Sequence, residues 1–308
     1  MCTRTACGRS REETFGSHTI SSSGGSDIFL AKLSPEGEWL WVLSAGSSGD
    51  DLATSVTVDS SGNPVIAGYI GGNADFGGNT AESLGGTEIV VAKAENSGTW
   101  AWVSTAGGVL GDVANDIASG DDGSIFITGQ VEGDANFDTI PSTGYDVDAF
   151  VAALGPSGNW NWAKRFVGND VDGGYSVISI GGDVISGGDH WGNLELDGTQ
   201  LLGGGGYLSS MNSTTGDLNW FVALEGTPYA MESDSEGHLY MAGLFTGAEL
   251  FGEDILTSSG GLDIFLGKLH TNSTWIWAIS AGSDEWDSVG DLAVNGAGQV
   301  VLIGTYGN

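Results

Sequence analysis

Four aspartates recur at one place in this chain. Asp51, Asp112 and Asp287 each follow a glycine by five residues (Gly46, Gly107 and Gly282), and Asp172 stands one place off the same pattern. Carboxylates repeated at one structural position could converge, and Ca²⁺ takes several oxygen ligands in irregular geometry. Calcium is therefore the cofactor the pattern would admit, with Asp51, Asp112, Asp172 and Asp287 as its ligands. A plainer reading needs no ion: each Asp accepts backbone N–H bonds from its own loop and fixes one repeat against the next. The stretch 169–174, NDVDGG, imitates part of a calcium loop but has no Glu at the twelfth position, which excludes an EF-hand.

A second group breaks the repeat. Asp189, His190 and Trp191 lie in a two-residue insertion, GGDHWGN, and Trp286 lies in SDEWDS. An aromatic ring beside acids and amides suits a sugar, whose apolar face stacks while its hydroxyls find polar partners. These four are the candidate ligand-binding residues. His190 beside Asp189 also suggests a general base with its partner. However, neighbours in a chain rarely aim at one substrate, and no G-x-S-x-G nucleophile motif is present. No catalytic residue is assigned. His18, His238 and His270 are isolated in the sequence and read as plain surface residues.

The elements that must position these groups follow from a tryptophan pattern. Trp-x-Trp occurs at Trp39/Trp41, Trp100/Trp102, Trp160/Trp162 and Trp275/Trp277, with Leu218/Trp220 as a degraded copy, in steps of 57 to 61 residues. A unit copied at fixed period must bury its apolar faces against its neighbours. The first full cycle reads as four strands: LATSVTVD (52–59), NPVIAGYI (63–70), TEIVVAKA (87–94) and TWAWVSTAG (99–107). Asp-x-x-Gly between apolar runs marks the hairpin turn. Four strands in about 60 residues make a propeller blade. The predicted fold is thus an all-β propeller of about five four-stranded blades, spanning residues 15–308 as one domain after a non-repeat, unstructured leader at 1–14.

The chain opens on a second hairpin and closes on a first one, and the termini match at the seam: FGSHTISSSGGSD (15–27) parallels FGGNTAESLGGTE (76–88). This predicts a ring closed by one composite blade, or else a fragment of a longer propeller. The repeated tryptophans are expected in the core. Hairpin turns should share one face, and the longer loops, with the candidate site, the other.

Composition restricts the partners. Forty acidic residues against eight basic ones leave a net charge of −32, so nucleic acid is excluded as a partner, as is an anionic membrane. No run approaches the length of a membrane span. Cys2 and Cys7 form no disulfide framework, and the first fourteen residues have no apolar signal-peptide core. The 54 glycines among 308 residues suit many tight turns.

The pattern GDD-LA-SVTVDSSGNPVIAG, then ADFGG, GG-EIVVAK and G-WAWV-AGG, resembles the SBBP-type β-propeller repeat of bacterial and archaeal secreted or cell-surface proteins. The resemblance covers residues 15–308 and departs in the third and fourth blades, which lose the lysine seen at Lys32, Lys93 and Lys268. That family usually has seven blades and brings no catalytic signature. MNSTTGDLNW (211–220) is similar to the tryptophan-docking motif of quinoprotein propellers but occurs clearly once, and SPEGEW (34–39) lacks the Asp-x-Gly spacing of a sialidase Asp-box. The resemblance implies a non-enzymatic extracellular or cell-surface scaffold that recognises protein or carbohydrate on the long-loop face, as a monomer or as part of a larger chain. The alternatives are a calcium-assisted hydrolase or lyase with an acidic centre at the propeller axis, and a purely structural array.

Overall fold

The computed structural model describes residues 12–138 and 140–307. Among them the chain is all-β, with strands in antiparallel pairs and no helix that could cross a membrane. The predicted four-strand unit recurs. One blade comprises Leu52–Val58, Pro64–Ile70, Glu88–Glu95 and Thr99–Gly108, hydrogen-bonded in chain order. The next are Val113–Ser119, Ile125–Glu132, Val147–Leu154 and Trp160–Arg165; then Asp172–Ile180, Asp183–Trp191, Gly204–Asn212 and Leu218–Leu224; then Thr227–Ser233, His238–Phe245, Asp263–His270 and Trp275–Ala281. We refer to these blades by their outer residues.

The Asp-x-x-Gly turns form as read: Gly62 and Gly237 adopt φ of 82° and 82°, and their N–H groups bond Asp59 O and Asp234 O at 2.9 and 3.1 Å. Only glycine reaches this left-handed conformation without strain. The first ladder of every blade also carries a bulge, as between Ala53 and Ser55 or Gly174 and Ser176, and a bulge re-aims one side chain out of the regular alternation.

A fifth feature of each unit was not legible as strand. The Gly-rich segment between the two hairpins folds into a miniature hairpin, at 12–21, 74–81, 135–142, 194–201 and 248–257. Its aromatic residue packs edge-on against the first tryptophan of a pair: Phe15 on Trp39, Phe76 on Trp100, Phe137 on Trp160 and Phe251 on Trp275, with centroids 5.0 to 5.4 Å apart. Edge-to-face contacts of this kind add to plain area burial.

Two expectations need correction. The repeated tryptophans are half-buried, Trp162 alone reaching the core at 7% exposure. Their indole N–H groups explain this, because a ring that must donate across a blade junction stays near its edge. Trp100 Nε1 bonds Ser44 O at 3.2 Å, Trp41 Nε1 bonds Asn96 O at 3.0 Å, and Trp220 Nε1 bonds Thr271 O at 3.1 Å. Second, the leader ends sooner than expected: Glu12–Phe15 is already a strand paired with His18–Ser21, and the rest of the leader, 1–11, lies outside the described residues. The terminal hairpins Ile28–Leu33 with Trp39–Ala45 and Ser288–Val294 with Val300–Thr305 are each two-stranded sheets.

The chain divides into two compact units, Met1–Val147 with Ala152–Ala163, and Asp148–Val151 with Lys164–Asn308. A repeat array is held by nearest-neighbour contacts and has no single centre, which is why a boundary can fall inside a blade. Each unit has its own core. In the first, Ile66, Ile70, Phe76, Val90 and Ala92 are shielded from water. In the second, Leu208, Leu239, Met241, Phe251 and Phe265 play that part.

Candidate functional site

The repeated acids are placed by their loops. Asp51 accepts N–H bonds from Ser47 at 2.6 Å and Gly71 at 3.0 Å, and the Ser47 hydroxyl at 2.9 Å. Asp112 takes the N–H groups of Gly108 and Glu132 at 2.7 and 2.9 Å, and Asp287 those of Ser283 and Gly307 at 2.8 and 3.1 Å. Asp172 receives Trp191 N–H at 3.2 Å. All four are at most 3% exposed. Asp51, Asp112 and Asp287 thus tie their blade-to-blade loops to the end of the following strand pair, whereas Asp172 holds the strand end and the loop N–H of Gly168 goes to Asp148 at 3.0 Å. Counted from the first residue of the Trp-x-Trp motif, all four stand twelve places on, so Asp172 is in register after all.

The group of three ligating side chains that the described residues assemble is a different one: Asp234, Glu236 and His238. Asp234 is already held by Lys268 Nζ at 3.0 Å, His238 Nδ1 at 3.0 Å and its own turn's N–H groups. Burial opposes ionisation there, but the N–H of His238 and the charge of Lys268 outweigh it and hold the carboxyl well below its usual range. His238 and His270 are not isolated. They face each other across adjacent strands, with rings 5.4 Å apart, a long-range pairing that sequence spacing could not show.

The residues of the broken repeat fall together. Asp189, His190 and Trp191 end the strand Asp183–Trp191 and line an open cavity of about 490 Å³, completed by Gly192, Gly204, Gly205 and Thr227. Strand alternation decides their directions. His190 turns inward, 3% exposed, in the register held by Ile70, Val131 and Phe245 in the other blades, and its Nδ1 lies 2.8 Å from Gly192 O. Trp191 turns outward and is 71% exposed. Trp286, also exposed, belongs to the 283–287 loop and is not among the residues lining this cavity.

Behind Asp189 is a polar cluster that the sequence did not reveal. Tyr175 donates its hydroxyl to Asp189 at 3.0 Å and stacks on Tyr229 at 4.8 Å. Both tyrosines occupy bulge positions, where other blades carry Thr54 and Asn115; aromatic residues at those positions were the available signal. Tyr207 is fully buried, and its hydroxyl has no partner, as does Oδ2 of Asp172. Burial pushes the Asp189 carboxyl up against the pull of the Tyr175 hydrogen bond. Burial likewise raises Asp172 to about 7, with the charges of Asp148, Asp189 and Asp170 adding to it. A recess lined by Asp189, His190 and Thr227 and rimmed by an exposed indole can exchange hydrogen bonds with a polar ligand and stack on its apolar face.

The fold defines an all-β repeat protein built from four-stranded blades of the propeller type, with one blade interrupted by a polar recess. No family model matches the chain. It is 26% identical over 318 residues to the regulatory protein FlaEY of Caulobacter vibrioides, a match covering 92% of this chain and 33% of that relative. The chain therefore spans about a third of the length of the curated relative it matches. Among solved structures it is similar to an ACO/RPE65 chimera, with a TM-score of 0.44 and 10% identity over 96% of this chain and 64% of that one. It is also similar to BamB from Moraxella catarrhalis, with a TM-score of 0.25 and 12% identity over 96% and 93%.

Proposed function

We propose that this chain is a non-enzymatic, SBBP-type propeller module that binds carbohydrate or protein through the recess of the 172–224 blade. One observation carries the reading: Asp189, His190 and Trp191 stand where other blades carry repeat residues and together line a cavity, with the Trp191 ring 71% exposed at its edge and not accounted for by packing. The surplus of acid supports a soluble surface or extracellular setting and repels phosphate-rich partners. The relative is a regulatory protein, which is compatible with a binding rather than a catalytic part, played here by a module about a third its length.

Carbohydrate is the partner we favour, because an exposed indole beside carboxylate and hydroxyl groups offers stacking and hydrogen bonding together. The test is a glycan array with the native chain and Trp191→Ala side by side. Retention of a defined glycan class by the native chain and its loss in the variant supports the reading. Binding that persists unchanged in Trp191→Ala would move the site elsewhere, and failure of every glycan would leave protein as the partner.

A further inference from the structure

Each repeated Asp has a second acid beside it. Asp27, Glu88, Asp148 and Asp263 precede Asp51, Asp112, Asp172 and Asp287 by 24 residues in every case. The backbone holds the pairs together in three junctions. Asp51 N–H donates to Ser26 O at 2.7 Å, Asp112 N–H to Thr87 O at 2.8 Å and Asp287 N–H to Leu262 O at 2.9 Å, each acceptor being the residue before the partner acid. Glu88, Asp148 and Asp263 are at most 2% exposed. Two buried carboxylates side by side cost free energy unless a positive charge or a proton accompanies them.

Three further observations concern what lies between the acids. First, oxygens there lack partners: Oδ1 of Asp263, 2% exposed, and Oδ1 of Asp27 accept nothing. Second, glycine stands directly against the acids, where any side chain would collide with them. A Cβ on Gly107 would stand 2.6 Å from Asp112 Oδ2 and 3.0 Å from Glu88 Oε1, and one on Gly282 would stand 2.7 Å from Asp263 Oδ1. Third, one junction contains a cation of the protein's own: Arg165, itself 5% exposed, bonds Asp148 through Nε at 2.5 Å. In the corresponding places stand Ser44, Thr105 and Ser280, which carry no charge.

The junction ahead of the 227–281 blade completes the comparison. Both buried acids are missing there together: Gly205, opposite His190, stands in place of the first, and Gly226, just ahead of the strand that begins at Thr227, in place of the second. Loop caps acting singly would have no reason to vanish as a pair.

We infer that the pairs Asp27/Asp51, Glu88/Asp112 and Asp263/Asp287 are cation sites, each taking one Ca²⁺ where Asp148 has the guanidinium of Arg165 beside it. The ion is hard and oxygen-seeking, matching two carboxylates completed by water and backbone carbonyls. It bridges strands of one blade to the loop that starts the next, so occupancy stiffens junctions without forming an active centre.

The experiment is calorimetric titration of the chelator-stripped chain with Ca²⁺, together with thermal melts in Ca²⁺ and in chelator. The expected result is three ions per chain and a melting temperature that rises with Ca²⁺, since a ligand bound only by the folded state stabilises it. Glu88→Gln should bind one ion fewer and melt no lower than the native chain in chelator. Asp263→Asn, in the other compact unit, should do the same independently. Absence of binding heat and of a melting shift overturns the inference. So does a stoichiometry that neither variant changes.

Discussion

The 52–108 and 172–224 blades have the same strand order and the same bulge, yet their interiors differ in kind. In the former, Val65, Ile66, Ala67, Ile70, Val90, Val91 and Ala92 are all at most 1% exposed, an unbroken apolar run of the sort expected when both faces of a sheet are covered. In the latter, the corresponding strands bury Ser186, His190, Tyr207, Ser209 and Ser210. The architecture tolerates the exchange because some of the polar groups satisfy one another: the Ser186 and Ser209 hydroxyls lie 2.8 Å apart. Others, the Tyr207 hydroxyl and Asp172 Oδ2, do not. The apolar blade shows what the repeat needs in order to fold, and the polar one shows what was added.

The largest expected effect breaks the scaffold side of this comparison. Ile66→Ala removes fully buried methyl groups and should cost roughly 2 to 5 kcal/mol in denaturant unfolding. A loss below about 1 kcal/mol would mean that the blade interior collapses onto the gap and that its apolar run is less tightly packed than burial indicates.

Next in size is the pH dependence of the polar blade. Asp172 is raised in the folded state to about 7, from an ordinary value of 3.8, first by burial and then by neighbouring acids. The folded chain then binds more protons than the unfolded one between these two values, so stability falls as pH rises through that window. Melting temperature in chelator should therefore climb as pH is lowered from 8 toward 5. Asp172→Asn should flatten the slope. Asp59, held near 2 by Lys93 and the Asn63 N–H groups against the cost of burial, loses its contribution only at more acidic pH and does not mask the effect. An unchanged slope in the variant would show that Asp172 finds a partner in solution.

Much of this comparison was legible in the sequence, and the missing part has a physical cause. Trp-x-Trp spacing and Asp-x-x-Gly turns are local signals, and they marked all four strands of each blade. The miniature hairpins were missed because ADF and NTA, three residues each, are too short to show alternation. Of the recess, Asp189, His190 and Trp191 stood out as a departure from the period, whereas Tyr175, Tyr207 and Tyr229 did not, since an isolated tyrosine in a strand reads as packing. Their assembly depends on bulges and on pairing between separate strands, which no window along the chain contains. The partner acids are silent in the sequence for a similar reason: each stands 24 residues from its loop aspartate, and it is the folded backbone that brings the two together.

A smaller effect isolates the unpartnered phenol. Tyr207 is fully buried, and its hydroxyl is desolvated with nothing to bond. Tyr207→Phe keeps the ring against Phe166 and Phe221 and removes only that hydroxyl, so it should leave stability unchanged or raise it by about 1 kcal/mol. A clear loss would reveal an ordered water or ligand at this position.

The smallest effect on stability is the most discriminating for function. Trp191 is 71% exposed although it ends a strand whose other side chains are largely buried, and its backbone N–H, not its ring, makes the bond to Asp172. Truncating the ring leaves that bond and the ladder to Gly204 intact, so Trp191→Ala should shift unfolding by no more than about 0.5 kcal/mol. The Trp191 ring makes its polar contact with Asp189 at the recess, and an indole this exposed has a reason other than packing to be there. If the variant folds with native stability and still loses its ligand, the ring belongs to recognition. If it melts substantially lower, Trp191 plugs a blade junction as the other tryptophans do, and the contrast between the two blades reduces to a difference in packing.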